Sequence, residues 1–164
     1  MSKDTSLSGL RMRVISAAED LMDAIENQPR VDTLMDSLDD IDDPDLIAII
    51  TEGVFDYDYA LAAIRGIAHP NLEITSILES DTPQSALEWA HTEGNILDRE
   101  RIVDELDFAR EELIRSSSHL DRDHPFRSRA LGDLYDHHVR LCDVAYVLGG
   151  VQESLKNKIV NGGD

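Results

Sequence analysis

The chain has 164 residues, 41% of them hydrophobic, which is enough for one domain with its own core and short of what two would need. A net charge of −19 excludes direct binding to nucleic acid or anionic membranes, because neutralising phosphate takes clustered Lys and Arg. The single Cys142 excludes an internal disulfide, no run nears the roughly 20 apolar residues of a membrane span, and Met1 to Gly9 lack a secretory apolar stretch, so the expected location is cytoplasmic.

Leu10, Val14, Ala17, Leu21 and Ile25, flanked by Ile15, Ala18 and Met22, repeat as the apolar stripe of an amphipathic helix, with Ser8 as its N-cap and Pro29 as its stop. A short second helix follows, with Val31, Leu34, Met35, Leu38 and Ile41 on one side and Asp32, Asp36, Asp39, Asp40 and Asp43 on the other. Asp43-Pro44 is a cap followed by proline at the first helical position, and opens a third helix expected to run to Ala68, where His69-Pro70 ends it. Its apolar positions, from Leu46 and Ile47 through Val54 and Phe55 to Ile67, nearly encircle it, which predicts the most buried element of the fold. A short helix through Ile74, Ile77 and Leu78 comes next. Asp81-Thr82-Pro83 then opens another, closed by Gly94.

The last third predicts a long helical hairpin. Asn95 caps a helix striped by Ile96, Ile102, Val103, Leu106 and Leu113, and the segment from Ser116 to Pro125 forms the turn. The return helix places Leu134, Leu141, Leu148 and Leu155 seven apart, a heptad seam able to join two copies as a homodimer, which makes a helical oligomeric structural or assembly protein one alternative function. Gly149-Gly150 interrupts that seam and either breaks the helix or admits a close neighbour. Together these elements predict a single all-α domain over 1–164, a compact bundle of six or seven helices with residues 1–8 and 161–164 frayed.

Charge is unevenly placed along this chain. Between Glu19 and Asp58 there are fourteen acids against one base, Arg30, whereas residues 99–143 hold eleven acids against eight arginines. Salt adaptation would enrich Asp over Glu and deplete Lys, as the 22 Asp, 12 Glu and 3 Lys here do, but it would spread the excess evenly. Residues 32, 36, 39 and 43 advance about a helical turn at a time and would set carboxylates roughly 5 to 6 Å apart, a row that can imitate a phosphate backbone. Like charges at that spacing weaken a helix, so selection for stability alone would have mixed in lysines. The pattern points to a non-enzymatic inhibitor, a nucleic-acid mimic of the anti-defence or immunity type encoded by a phage or mobile element. Its partner would be a basic, nucleic-acid-handling protein, met through Asp20, Asp23, Asp32, Asp36, Asp39, Asp40, Asp42 and Asp43.

Two chemical alternatives come from the same residues. Asp104, Glu105, Glu111 and Glu112, with Asp133 and Asp136 across the hairpin, are carboxylates of the kind that hold Mg²⁺ inside a bundle. Leu131-Gly132-Asp133-Leu134 resembles the Glu-Leu-Gly-Asp-Leu segment of MazG-type nucleoside triphosphate pyrophosphatases over about residues 98–148. That resemblance implies an Mg²⁺-dependent enzyme using Glu105, Glu112 and Asp133, although Ala130 and Phe108 stand where the family carries acids. His119, His124, His137 and His138 cluster around the hairpin turn, and Glu88-x-x-His91 has the spacing of one di-iron ligand pair where two are needed, so the sequence designates no cofactor of its own. His137 falls on the heptad seam, and Cys142 reads as a small packed residue. No nucleophile motif or phosphate-cradling loop is present.

Overall fold

The computed structural model describes residues 6–162, and all regular structure among them is helical. Six α-helices follow in order: α1 Leu7–Glu26, α2 Val31–Asp36, α3 Pro44–Thr75, α4 Pro83–His91, α5 Arg99–Ser116 and α6 Leu131–Val160. A 3-10 turn, Ser76–Ser80, continues α3, and a π-helical turn, Phe126–Ala130, leads into α6. The heart of the molecule lies where α3 runs along α5 and α1 runs along α6, with α5 and α6 closing the two pairs against each other. Val14, Leu21, Ile50, Ile64, Trp89, Leu106, Leu113, Phe126 and Leu148 are all shut off from solvent there. No helix among the described residues is long and apolar enough to cross a membrane.

Helix boundaries follow side-chain chemistry more closely than apolar periodicity. Ser6, not Ser8, caps α1 by accepting from the Gly9 amide, so Leu7 and Ser8 belong to the helix; the rest of the expected N-terminal fraying, and residues 163–164, lie outside the described residues. The second helix stops at Asp36. There Ser37 Oγ bonds back to the Leu34 carbonyl at 2.7 Å, and the aspartates that follow are poor helix formers, so Leu38 reaches the core from a turn.

α3 does not end at His69-Pro70 but passes straight through it. Proline removes the bond to the Gly66 carbonyl, yet both Gly66 and Pro70 face solvent, where water can serve that carbonyl. Ile67, Ala68, Asn71 and Thr75 stay packed on the opposite side and carry the helix on. The chain then reverses at Asp81, whose φ of 51° is left-handed, and Thr82 with Ser85 forms a reciprocal capping box for α4. Asn95 does not cap α5. Its buried amide donates to the Trp89 and Ala90 carbonyls and so closes α4, while Asp98 accepts from the Arg101 amide at the start of α5.

α6 is unbroken at Gly149-Gly150. Arg99 crosses Gly149 so closely that a Cβ there would stand 2.5 Å from Arg99 Cδ, so any larger residue would displace the arginine side chain. From that position the Arg99 guanidinium lies 5.1 Å from the Tyr146 ring centroid and 3.3 Å from Glu153. Gly53 does the same for the α3–α5 contact, where an added Cβ would come within 2.9 Å of Ser116 Cβ. Leu134, Leu141, Leu148 and Leu155 are wholly buried within this one chain. The heptad therefore belongs to the core against α1 and α5, and the expected seam between copies is corrected accordingly.

Two buried polar clamps fix the packing. Arg11, 6% exposed, donates to Asp81, the Leu78 carbonyl and Ser85 Oγ, tying α1 to the start of α4. Gln152 accepts from the Leu97 amide at 2.7 Å and donates to Asn71 at 3.2 Å, joining α6, α3 and the α4–α5 connector.

Candidate functional site

The short α2 and its flanking loops gather carboxylates from several helices onto one part of the surface. Asp36, Asp39 and Asp40 share a cleft of about 540 Å³ with Asp133 of α6, Arg129 and the apolar wall of Pro125 and Ala130. Beside it, Glu26, Asp32 and Asp58 line a second cleft of about 450 Å³ that also takes in Gln28, Arg30 and Arg65. Asp20 and Asp23 stand exposed on α1, and Asp23 reaches Arg140 of α6 at 3.1 Å. The single-helix row expected from 32, 36, 39 and 43 is not what is built, because only Asp32 and Asp36 are helical neighbours. The loop after α2 instead folds Asp39 and Asp40 against the base of α6.

All eight predicted partner-binding aspartates are exposed. Three have internal duties: Asp23 pairs with Arg140, Asp40 lies 2.8 Å from His124 Nε2, and Asp43 caps α3 by accepting from the Asp45 and Leu46 amides. Asp20, Asp32, Asp36, Asp39 and Asp42 have neither an ion pair nor a side-chain hydrogen bond among the described residues. Of these, Asp32, Asp36 and Asp39 lie together on α2 and the turn after it, where they repel one another, and an attached cation would relieve that repulsion.

The magnesium alternative fares differently. Glu112 bonds Arg115 at 2.9 Å and lines a small concavity with Glu52 and Asp56 between α3 and α5, whereas Asp133 opens into the α2–α6 cleft. The two line different clefts, so the joint ligand set that the motif resemblance implied for Glu105, Glu112 and Asp133 is not assembled. Among the described residues no group of three or more His, Cys, Asp or Glu side chains is placed to hold a metal.

Behind the second cleft lies a buried polar cluster that the sequence reading missed. Gln28 donates to the Ala24 and His137 carbonyls, Tyr57 OH donates to the Pro29 carbonyl, and the His138 ring stacks on Tyr57 at 6.3 Å with 18° between planes. His138, not His137, is the core histidine: it is 5% exposed and its Nε2 has no partner among the described residues. Burial, helped by Arg110 and His137, pushes its pKa down to about 4, so it is neutral at ordinary pH. Burial likewise raises Tyr57, and burial with Asp107 and Asp143 raises Cys142, which disfavours its thiolate. The cluster locks α1, α3 and α6 together under the acidic surface. No protein-family model, curated protein or solved structure matches the chain.

Proposed function

We propose that this protein is a non-enzymatic binder that occupies a basic surface of a nucleic-acid-handling protein and thereby blocks it, as an inhibitor of the nucleic-acid-mimic type. The observation that carries the reading is the set of exposed aspartates 20, 32, 36, 39 and 42, unpaired among the described residues, on a chain of charge −19. A surface tuned for stability alone would neutralise such carboxylates with lysine, yet the chain has only 3 Lys and places Lys3, Lys156 and Lys158 at its ends. Charge complementarity of this kind speeds association and excludes polyanions, which fits a molecule that competes with nucleic acid instead of binding it. A phage or mobile-element origin and a cytoplasmic setting belong to the same proposal.

The test replaces Asp32, Asp36, Asp39 and Asp40 with Asn together. The variant should melt close to the parent, since all four are exposed and only Asp40, set against His124, gives up an ion pair. Proteins retained from a lysate by the parent chain at low salt, and released at about 1 M salt where screening shortens to ~3 Å, should include nucleic-acid-binding proteins whose DNA binding the chain suppresses. The variant should lose that suppression by at least tenfold. Equal suppression by parent and variant would end the proposal.

A further inference from the structure

α3 should be encircled by neighbours if its apolar sequence is taken at face value, and it is not. Phe55 is 61% exposed and Tyr59 77%, one turn apart on the helix, with Ala62 and Gly66 continuing the same outward line and Ala48 preceding it. The line covers about 27 Å of helix at 1.5 Å per residue. A Cβ built on Gly66 would meet nothing within 4 Å, so no other part of the described chain crosses there.

Three other aromatic rings of the bundle are exposed. Tyr135 is covered by the Arg110 guanidinium at 4.6 Å and Tyr146 by that of Arg99 at 5.1 Å, whereas Phe108, 50% exposed, stands singly on α5. Phe55 and Tyr59 form an adjacent pair with no ring or cation partner among the described residues. Single exposed hydrophobics are ordinary on any surface, but adjacent rings on a line that carries only Glu52 are unusual on so charged a chain. Exposed aromatic groups of this kind are what interfaces use as anchors.

The charges on either side say what kind of molecule fits. Glu52 sits on the line itself, Asp58 borders it on one flank and Asp56 on the other, and Arg65 is the only lysine or arginine in α3. A second copy of this chain would set those acids against their own counterparts, and an anionic bilayer would be repelled by them. A basic amphipathic helix meets both requirements at once. Its apolar side would cover Phe55 and Tyr59, approach closely over Ala62 and Gly66, and bring Lys or Arg to Glu52, Asp56 and Asp58.

We infer that the outward face of α3 is the docking surface for a basic amphipathic helix presented by the partner, adding apolar anchors to the acidic surface around α2. The inference rests on the reading that the partner is basic. It is tested on the intact chain with two synthetic peptides of about 18 residues, long enough for the face. One is an amphipathic Lys/Leu helix, and the other is a scramble of identical composition with no apolar side. Binding is followed by anisotropy of a labelled peptide against the parent chain and the F55S/Y59S double variant. Both substitutions are at exposed positions, and an unchanged melting curve confirms the fold.

The amphipathic peptide should bind the parent at least tenfold more tightly than its scramble, and F55S/Y59S should erase that difference while keeping the weaker, salt-sensitive binding. Equal affinity of the two peptides, or an unaffected double variant, overturns the docking face and leaves the acidic surface around α2 untouched. Sedimentation of the parent as a dimer that F55S/Y59S dissociates would also overturn it, because a second copy would then cover the face. Loss of peptide binding in the Asp32, Asp36, Asp39, Asp40 to Asn variant is a separate readout that reports only on the charge.

Discussion

Replacing His138 with Phe should flatten the acid sensitivity of this protein. His138 is buried against Tyr57 with Nε2 unpartnered among the described residues, and its pKa falls to about 4 from the ordinary 6.5. Because the folded pKa is the lower one, the unfolded chain takes up the proton first. Stability from this group is therefore complete above pH 6.5 and drains away as pH falls toward 4. The full difference is about 3 kcal/mol at 1.36 kcal/mol per pH unit, of which about 2 kcal/mol is already lost at pH 5. For a chain of this size that corresponds to a melting point lowered by roughly 4 to 8 °C. Phe preserves the ring against Tyr57 and cannot titrate. Melting curves at pH 7.5 and pH 5 for both proteins isolate the histidine, since protonation of the many carboxylates is common to the two. The variant should lose about 2 kcal/mol less than the parent across that interval. An equal loss in both would mean that His138 is protonated within the folded protein, and the burial argument would be refuted.

Further outcomes follow from the packing. Gly53→Ala should cost about 1 to 3 kcal/mol by pushing α3 away from Ser116 and the Glu112 carbonyl on α5, read as a lowered denaturation midpoint; no change would mean that the α3–α5 contact is looser than described. Leu141→Asp places a charge at a site with no solvent exposure and should abolish cooperative unfolding. A folded Leu141→Asp chain that merely changed from dimer to monomer would instead restore the heptad to a role between copies. The aspartate-to-asparagine variant and the α3 double variant complete the set. The first should weaken partner capture at nearly unchanged stability, and the second should remove the preference for an amphipathic peptide.

What the amino-acid order determined by itself was local. Asp43-Pro44 and Thr82-Pro83 mark helix starts because a capping oxygen and a proline act on their own backbone neighbours, and both operate as read. The all-helical class and the burial of Leu10, Val14, Leu21, Leu106 and Leu113 follow from periodicity in the same way. The acidic excess of residues 19–58 was equally plain, since charge is counted and not folded.

Tertiary structure decided everything that depends on what lies across a gap. Pro70 stays helical because the carbonyl it leaves unbonded faces water, and Gly149 marks the passage of Arg99 instead of a break. A heptad looks the same whether its partner is another copy or α1 of its own chain, so only the fold could assign Leu141 to the core. Phe55 and Tyr59 carry the same hydrophobicity as buried rings, and nothing in their spacing shows that no helix covers them. Sequence proximity likewise cannot bring Asp133 beside Asp36 or part it from Glu112. Those pairings are set by how α2, α5 and α6 pack, a property of contacts that no run of neighbouring residues contains.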